Sequence, residues 1–435
     1  MSVMQERKSG ELVRTVGFWG LVAMCINAVV GSGVFLLPAE SYKLLGPFSL
    51  WAPLLFALPV FILVLCFAEA ASHFSEPGGA YLYTKTAFGD FVGFETGWMN
   101  WIARVTSLAS LANGFVLALG LLFPAVKLGG QRVAVIVAMI VILAVIHFLG
   151  VKYGAASIYV FTWGKLIPLV GFIVIALVAW KHNPIPGSFA IPGPGTDWSG
   201  AALLLLFAYA GFENLGVPAG EFKNPRRDLP LALLAGILAI AAVYVLAQFG
   251  AMSALPDLSK TDTPIQSAAQ ALIGPVGAFI VTLGALLSMA GTNSGTMLEG
   301  SRMLYALSLD RRMGPISYVH PRFHTPSLAI VIHAAVALVL ALQGSFVKLA
   351  MLSAVARLTT YLFTCAAIPR LRKLSQNSDG FRTPGLVIPI LGVLISLSLF
   401  FFRLSRENLI AAGIALVAGA IVYLISKPPK AQIST

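Results

Sequence analysis

Ile26-Asn27-Ala28-Val29-Val30-Gly31-Ser32-Gly33-Val34-Phe35 puts two glycines and a serine in the middle of an apolar run over roughly residues 17–45. The run is long enough to span a bilayer, which takes about 20 residues. Each internal glycine nevertheless weakens a helix by roughly 1 kcal/mol relative to alanine. Unpaired amides in hydrocarbon are costlier still, so a segment unwound at this depth must face protein, water or a ligand. Amides that open the outer half-helix would point the positive end of its dipole inward, which suits a carboxylate. Close helix packing through small residues is the competing reading, and this run alone does not choose between them.

A second interruption does. Another apolar run contains Gly211, followed by Glu213-Asn214 and Gly216-Val217-Pro218, and Gly211 lies 180 residues after Gly31. Apolar runs of spanning length recur at roughly 17–45, 48–73, 90–122, 131–150, 156–180, 199–222, 229–254, 275–307, 326–343, 347–369, 385–403 and 408–426, twelve in all. Five begin at each interruption and enter the membrane from opposite sides. That is the pattern of an inverted repeat whose broken helices meet at the midplane. The expected class is an all-α polytopic membrane protein. A tail over 1–16 precedes a first repeat over 17–180 and a second over 199–369; two further helices over 385–426 and a tail over 427–435 follow.

Composition requires lipid as the solvent. Of 435 residues, 58% are hydrophobic and 11% charged, against about 25% charged in soluble proteins, and the mean hydropathy is +0.87. The net charge of +12 does not point to nucleic acid, because the cations alternate between loops and form no aromatic-interleaved groove. With the N-terminus inside, seventeen lysines and arginines fall in inside loops and eight outside. Both termini are therefore expected in the cytosol, in a multi-pass protein of the inner or plasma membrane. Cys25, Cys66 and Cys365 sit in apolar runs without disulfide or metal spacing, and the six histidines have no ligand spacing. No metal, cofactor or catalytic residue is expected. No Gly-x-Ser-x-Gly, His-Glu-x-x-His or paired-aspartate motif suggests an intramembrane enzyme, and no filter repeat or ring of charge suggests a channel.

Several motifs extend the reading. Gly31-Ser32-Gly33-Val34-Phe35, Glu76-Pro77-Gly78-Gly79-Ala80-Tyr81, Phe207-Ala208-Tyr209-Ala210-Gly211-Phe212-Glu213, Glu221-Phe222-Lys223-Asn224-Pro225-Arg226-Arg227 and Ser301-Arg302 together resemble the amino acid–polyamine–organocation transporters. The resemblance implies the leucine-transporter fold, alternating access and substrates built on an α-amino acid, with lipid and a proton as the other partners. It places a substrate carboxylate on the amides of Gly31, Ser32 and Gly33, and an α-ammonium near the carbonyls of Ala28, Phe207 and Ala208. Gly211 forms the second break, and Phe207 takes the place of an aromatic gate, unless it is one more apolar phenylalanine.

Lys165 lies nine residues into its helix, ~13 Å deep at 1.5 Å per residue. A charged lysine there should pair or lose its proton, unless its stem snorkels to the inner interface. Relatives with lysine at this position have an ammonium where sodium-coupled members hold their cation, so no sodium site is expected. Glu213 is the acid expected to titrate, or else a permanently paired structural carboxylate. Arg104 either contacts the substrate side chain or holds Glu213 or a helix end, the structural role being preferred. Glu299 is read as a partner of Arg302 at i,i+3, and Arg357 is buried without an assigned role. Thr292-Asn293-Ser294 could reach Lys165 or the substrate, Asn293 above all, or merely link helices. A polyamine carrier of the same fold is the nearest rival, yet the few buried acids argue against a cationic substrate. Whether the last two helices form a homodimer face stays open.

Overall fold

The computed structural model describes residues 16–74, 78–150, 154–180, 185, 187–215, 223–311, 313–374, 381–401 and 406–426. Most of the two tails, Glu76-Pro77, Gly216-Val217-Pro218 and Glu221-Phe222 lie outside them. The described residues form fifteen α-helices and no strand: α1 Phe18–Val29, α2 Gly33–Leu45, α3 Ala52–Ser72, α4 Gly79–Phe88, α5 Asp90–Leu122, α6 Gly129–Leu149, α7 Gly154–Ala179, α8 Trp198–Tyr209, α9 Pro225–Ala254, α10 Pro264–Ile273, α11 Pro275–Asp310, α12 Ser327–Gln343, α13 Phe346–Leu374, α14 Val387–Phe401 and α15 Arg406–Ile425. Eight are long and apolar enough to cross a bilayer, and the bent pair α1–α2 adds a ninth. α8, α12 and α14 are apolar but shorter.

Local chemistry sets the boundaries. Gly89 joins α4 to α5 at φ +91, a left-handed conformation that a residue with a Cβ rarely adopts. Pro275 starts α11, where its missing N–H removes no helical bond. α4 and α10, ten residues each, are too short to span and were not anticipated. α4 is tied to the end of α11 by the ion pair between Lys85 and Asp310.

α5 and α13 are the most enclosed of the eight long spans and pack against each other, and α11 also packs on α5. α6, α7, α14 and α15 present bare apolar side chains outward, such as Val174, Val178, Leu394 and Ile414, as lipid-facing helices do. Helices in lipid associate by close packing rather than by the hydrophobic effect. α1 lies along α9, where a Cβ on Gly236 would come 2.6 Å from the Cys25 sulfur. At one end of α3, buried Glu69 accepts hydrogen bonds from Arg372 Nε (2.6 Å) and Nη2 (2.8 Å) and from the Thr383 amide (3.0 Å) and hydroxyl (2.6 Å). Arg372 also bonds the Gly385 carbonyl.

Candidate functional site

α1 and α2 are bent 49° apart at Val30–Ser32. Val30 closes α1 through its amide to the Ile26 carbonyl at 2.9 Å, and Leu36 to Ser32 at 3.0 Å is the first full-turn bond of α2. The amides of Ser32, Gly33 and Val34 therefore precede any i→i−4 acceptor. The carbonyls released on the other side are taken by side chains from three helices. Lys165 Nζ of α7 donates to Asn27 O and Val30 O, both at 2.7 Å. Tyr244 OH of α9 reaches Val29 O at 3.2 Å, and Ser288 Oγ of α11 reaches Gly31 O at 3.1 Å. Lys165 is 1% exposed, so its ammonium is held at the break and does not snorkel.

The second break follows α8. Ala210 is extended and Gly211 has φ +126, which only glycine adopts without strain. Glu213 turns back and accepts the Gly211 amide on Oε2 at 2.8 Å. The two breaks touch: a Cβ on Gly211 would lie 2.6 Å from Ala28 O, and one on Gly33 would lie 3.0 Å from Ala208 Cα. Tyr244 OH also bonds Ala208 O at 2.7 Å, so one hydroxyl bridges both breaks.

Beside this junction lies a narrow cleft between α2, α8 and α9 with a volume of about 20 Å³. Its wall includes Gly33, Ala208, Tyr244 and Gln248. Of the expected binding residues it holds Gly33 and Ala208. Phe207 is buried outside it, edge-on to Phe346 at 6.2 Å. The Ser32 and Thr292 hydroxyls are buried without a partner among the described residues, and Thr292 is the side chain beside Gly31. Asn293, one residue on, points away: its amide faces Met139 of α6 at 3.7 Å. Ser294 bonds His147 of α6 at 3.0 Å, so that histidine links two helices.

A charged network lies next to the second break. Glu213 pairs directly with Arg357, lies 3.8 Å from Arg104 Nη2, and accepts Tyr361 OH at 3.3 Å. Arg104 pairs directly with Glu299 and donates to Asn100 at 3.3 Å. The expected Glu299–Arg302 pair is not formed. Arg302 instead donates to Leu298 O of its own helix at 3.3 Å, because Glu299 leans across to α5. Arg104 thus directs its donors to Glu299 and Asn100, with Glu213 3.8 Å away.

The sequence profile described as amino acid permease matches residues 16–425. The chain belongs to the amino acid permease family. The permease is 29% identical to the serine/threonine exchanger SteT of Bacillus subtilis, over 97% of this chain and 98% of that protein. It is 28% identical to the branched-chain amino acid permease BcaP of the same organism, over 96% and 94% of the two chains. A transporter of Mycobacterium tuberculosis, Rv1979c, described as uncharacterized, is 28% identical over 90% and 88%. These relatives are transporters, not enzymes, and the permease is a multi-pass membrane protein. Tyr244 and Ser288, polar side chains that serve the break, were not singled out from sequence, whereas Thr292 was named within Thr292-Asn293-Ser294. An isolated hydroxyl in an apolar helix gives no signal until its facing backbone is known.

Proposed function

We propose that this permease carries neutral α-amino acids across the membrane by alternating access, with the substrate bound where the two breaks meet. The observation that supports this is the junction itself. Open amides of Ser32, Gly33 and Val34 on one half-helix adjoin Ala28 and Ala208 on the other two. A zwitterion presents the complementary pair, a carboxylate for the amides and an ammonium for the carbonyls. Gly31, Ser32, Gly33, Ala28, Ala208 and Gly211 form the main-chain site. Thr292 replaces Asn293 as the side chain of α11 that serves it, and Phe207 flanks it. The names of the relatives favour small hydroxylated or branched aliphatic substrates. The groups around the two breaks, Lys165, Arg104 and Arg357 against Glu213, are predominantly cationic, which disfavours polyamines.

In this reading the chain crosses the membrane twelve times, with α1–α7 and α8–α13 as inverted repeats, α14 and α15 outside them, and both termini cytosolic. Each repeat opens with a broken helix and has a long helix, α5 or α11, as its third span. The outer half-helix α2 is sealed, whereas Ala23, Ile26, Asn27 and Ala28 on α1 are partly open, so the conformation faces the cytosol. Lys165 occupies the α1–α7–α11 junction where a sodium ion would otherwise bridge, which makes transport sodium-independent. Its proton and that of Glu213 are the candidates for coupling, either to a proton gradient or to exchange.

Proteoliposome uptake of tritiated L-serine and L-leucine tests this, with and without sodium, an imposed pH gradient and internal amino acid. Uptake driven by a pH gradient or by internal amino acid, unchanged without sodium, is the expected result. A strict sodium requirement would overturn the role given to Lys165.

A further inference from the structure

We propose that Arg302 and Glu299 form a second, transient amino acid site in the cytosolic vestibule, about two to three helical turns below the junction; the proposal rests on the transport reading above. Ser288, Thr292, Gly295, Glu299, Arg302 and Ala306 recur at intervals of three and four, so they share one face of α11. The top of that face is fixed by contact, since Ser288 bonds Gly31 O and Thr292 abuts Gly31. Other faces are occupied: Leu287 and Gly291 meet α7, Asn293 meets α6, Gly300 meets His333 of α12, and Leu307 meets Gly97 of α5. The lower part of this face is only partly covered: Gly295, Glu299, Arg302 and Ala306 are each partly exposed.

The charges on that face are incompletely matched. Glu299 engages Arg104 through one oxygen and its side chain is 36% exposed. Arg302 is half-buried, and among the described residues its guanidinium meets no carboxylate, only Leu298 O of its own helix. An arginine within a span is expensive unless it is paired. Arg104 and Arg357 take up Glu213 and Glu299 between them, so the charge of Arg302 is left for an outside anion. Side chains at i,i+3 start about 5–6 Å apart and can converge on the two ends of one zwitterion. The carboxylate goes to Arg302, where bidentate geometry is available, and the ammonium to the open oxygen of Glu299. A ligand held there is aligned on the path to the amides above, which raises its local concentration without competing for the primary site.

The test separates the two faces of the membrane. Exchange of tritiated L-serine and L-leucine is measured in proteoliposomes of defined orientation for the wild type, Arg302→Gln and Ala306→Glu. The second variant keeps the arginine and offers it a carboxylate at i,i+4, so it does not depend on the fold tolerating a lost charge. Both should raise KM from the cytosolic face about tenfold, the factor one charge-assisted hydrogen bond supplies, with the external KM within about twofold. Equal shifts on both faces, or no shift in either variant, would overturn the site alone. A wild type inert toward both amino acids would overturn the transport reading, and this site with it.

Discussion

Glu213→Gln removes one negative charge from a site where two guanidinium groups converge. Arg357 pairs with the carboxylate directly, Arg104 lies 3.8 Å away, and Gly211 N and Tyr361 OH also donate to it. Glutamine keeps an oxygen for the Gly211 amide, so the loss is electrostatic. Breaking a buried ion pair by removing one partner destabilises by about 3–5 kcal/mol, because the other charge is left uncompensated. Arg104 keeps Glu299, which puts the single variant near the lower bound, about 3 kcal/mol. Arg357→Met should cost a similar amount alone. The double variant leaves neither charge stranded, so it should be less destabilised than the sum by about 2 kcal/mol or more. Reversible unfolding in mixed detergent micelles gives the four transition midpoints of the cycle. Strict additivity, or a single variant as stable as the wild type, would refute the claim that this network holds the second break in place.

Three other outcomes follow from the geometry. Lys165→Ala should abolish accumulation driven by a pH gradient and leave substrate binding largely intact, since Ser288 also reaches Val30 O at 3.4 Å; unchanged concentrative uptake would remove Lys165 from coupling. Gly211→Ala forces a Cβ to 2.6 Å from Ala28 O at φ +126, a backbone strain of about 1–3 kcal/mol before the clash is counted; transport should be lost, and near-normal uptake would mean that the breaks need not touch. Tyr244→Phe deletes the hydroxyl that bridges Val29 O and Ala208 O. Buried hydrogen bonds between membrane helices average about 0.6 kcal/mol and reach about 1.7, so the unfolding midpoint should fall modestly while transport persists; a collapse in expression would show that the bridge carries far more.

Much of the architecture was readable before any coordinates because lipid imposes a simple rule on length and polarity. The third run, expected over 90–122, is α5 from Asp90 to Leu122. Both breaks fall where glycine interrupts an apolar run. α4 and α10 escaped because a ten-residue helix lying between spans has no length signature. Errors at the site were errors of azimuth. Thr292 and Asn293 are adjacent in sequence but 100° apart on the helix, and only the first faces Gly31. Glu299 and Arg302 satisfy the spacing of a local pair, yet Arg104 on α5 offers Glu299 a closer partner, and spacing within one helix carries no information about a neighbouring one.

The clasp at Glu69 constrains what can move. It ties the end of α3, in the first half of the chain, to Arg372 on α13, in the second, and to the strap at Thr383–Gly385 that leads into α14. Those three segments must travel as a single rigid block, so any swing of α1 has to occur against them. Cutting the strap should loosen that block while leaving both breaks where they are.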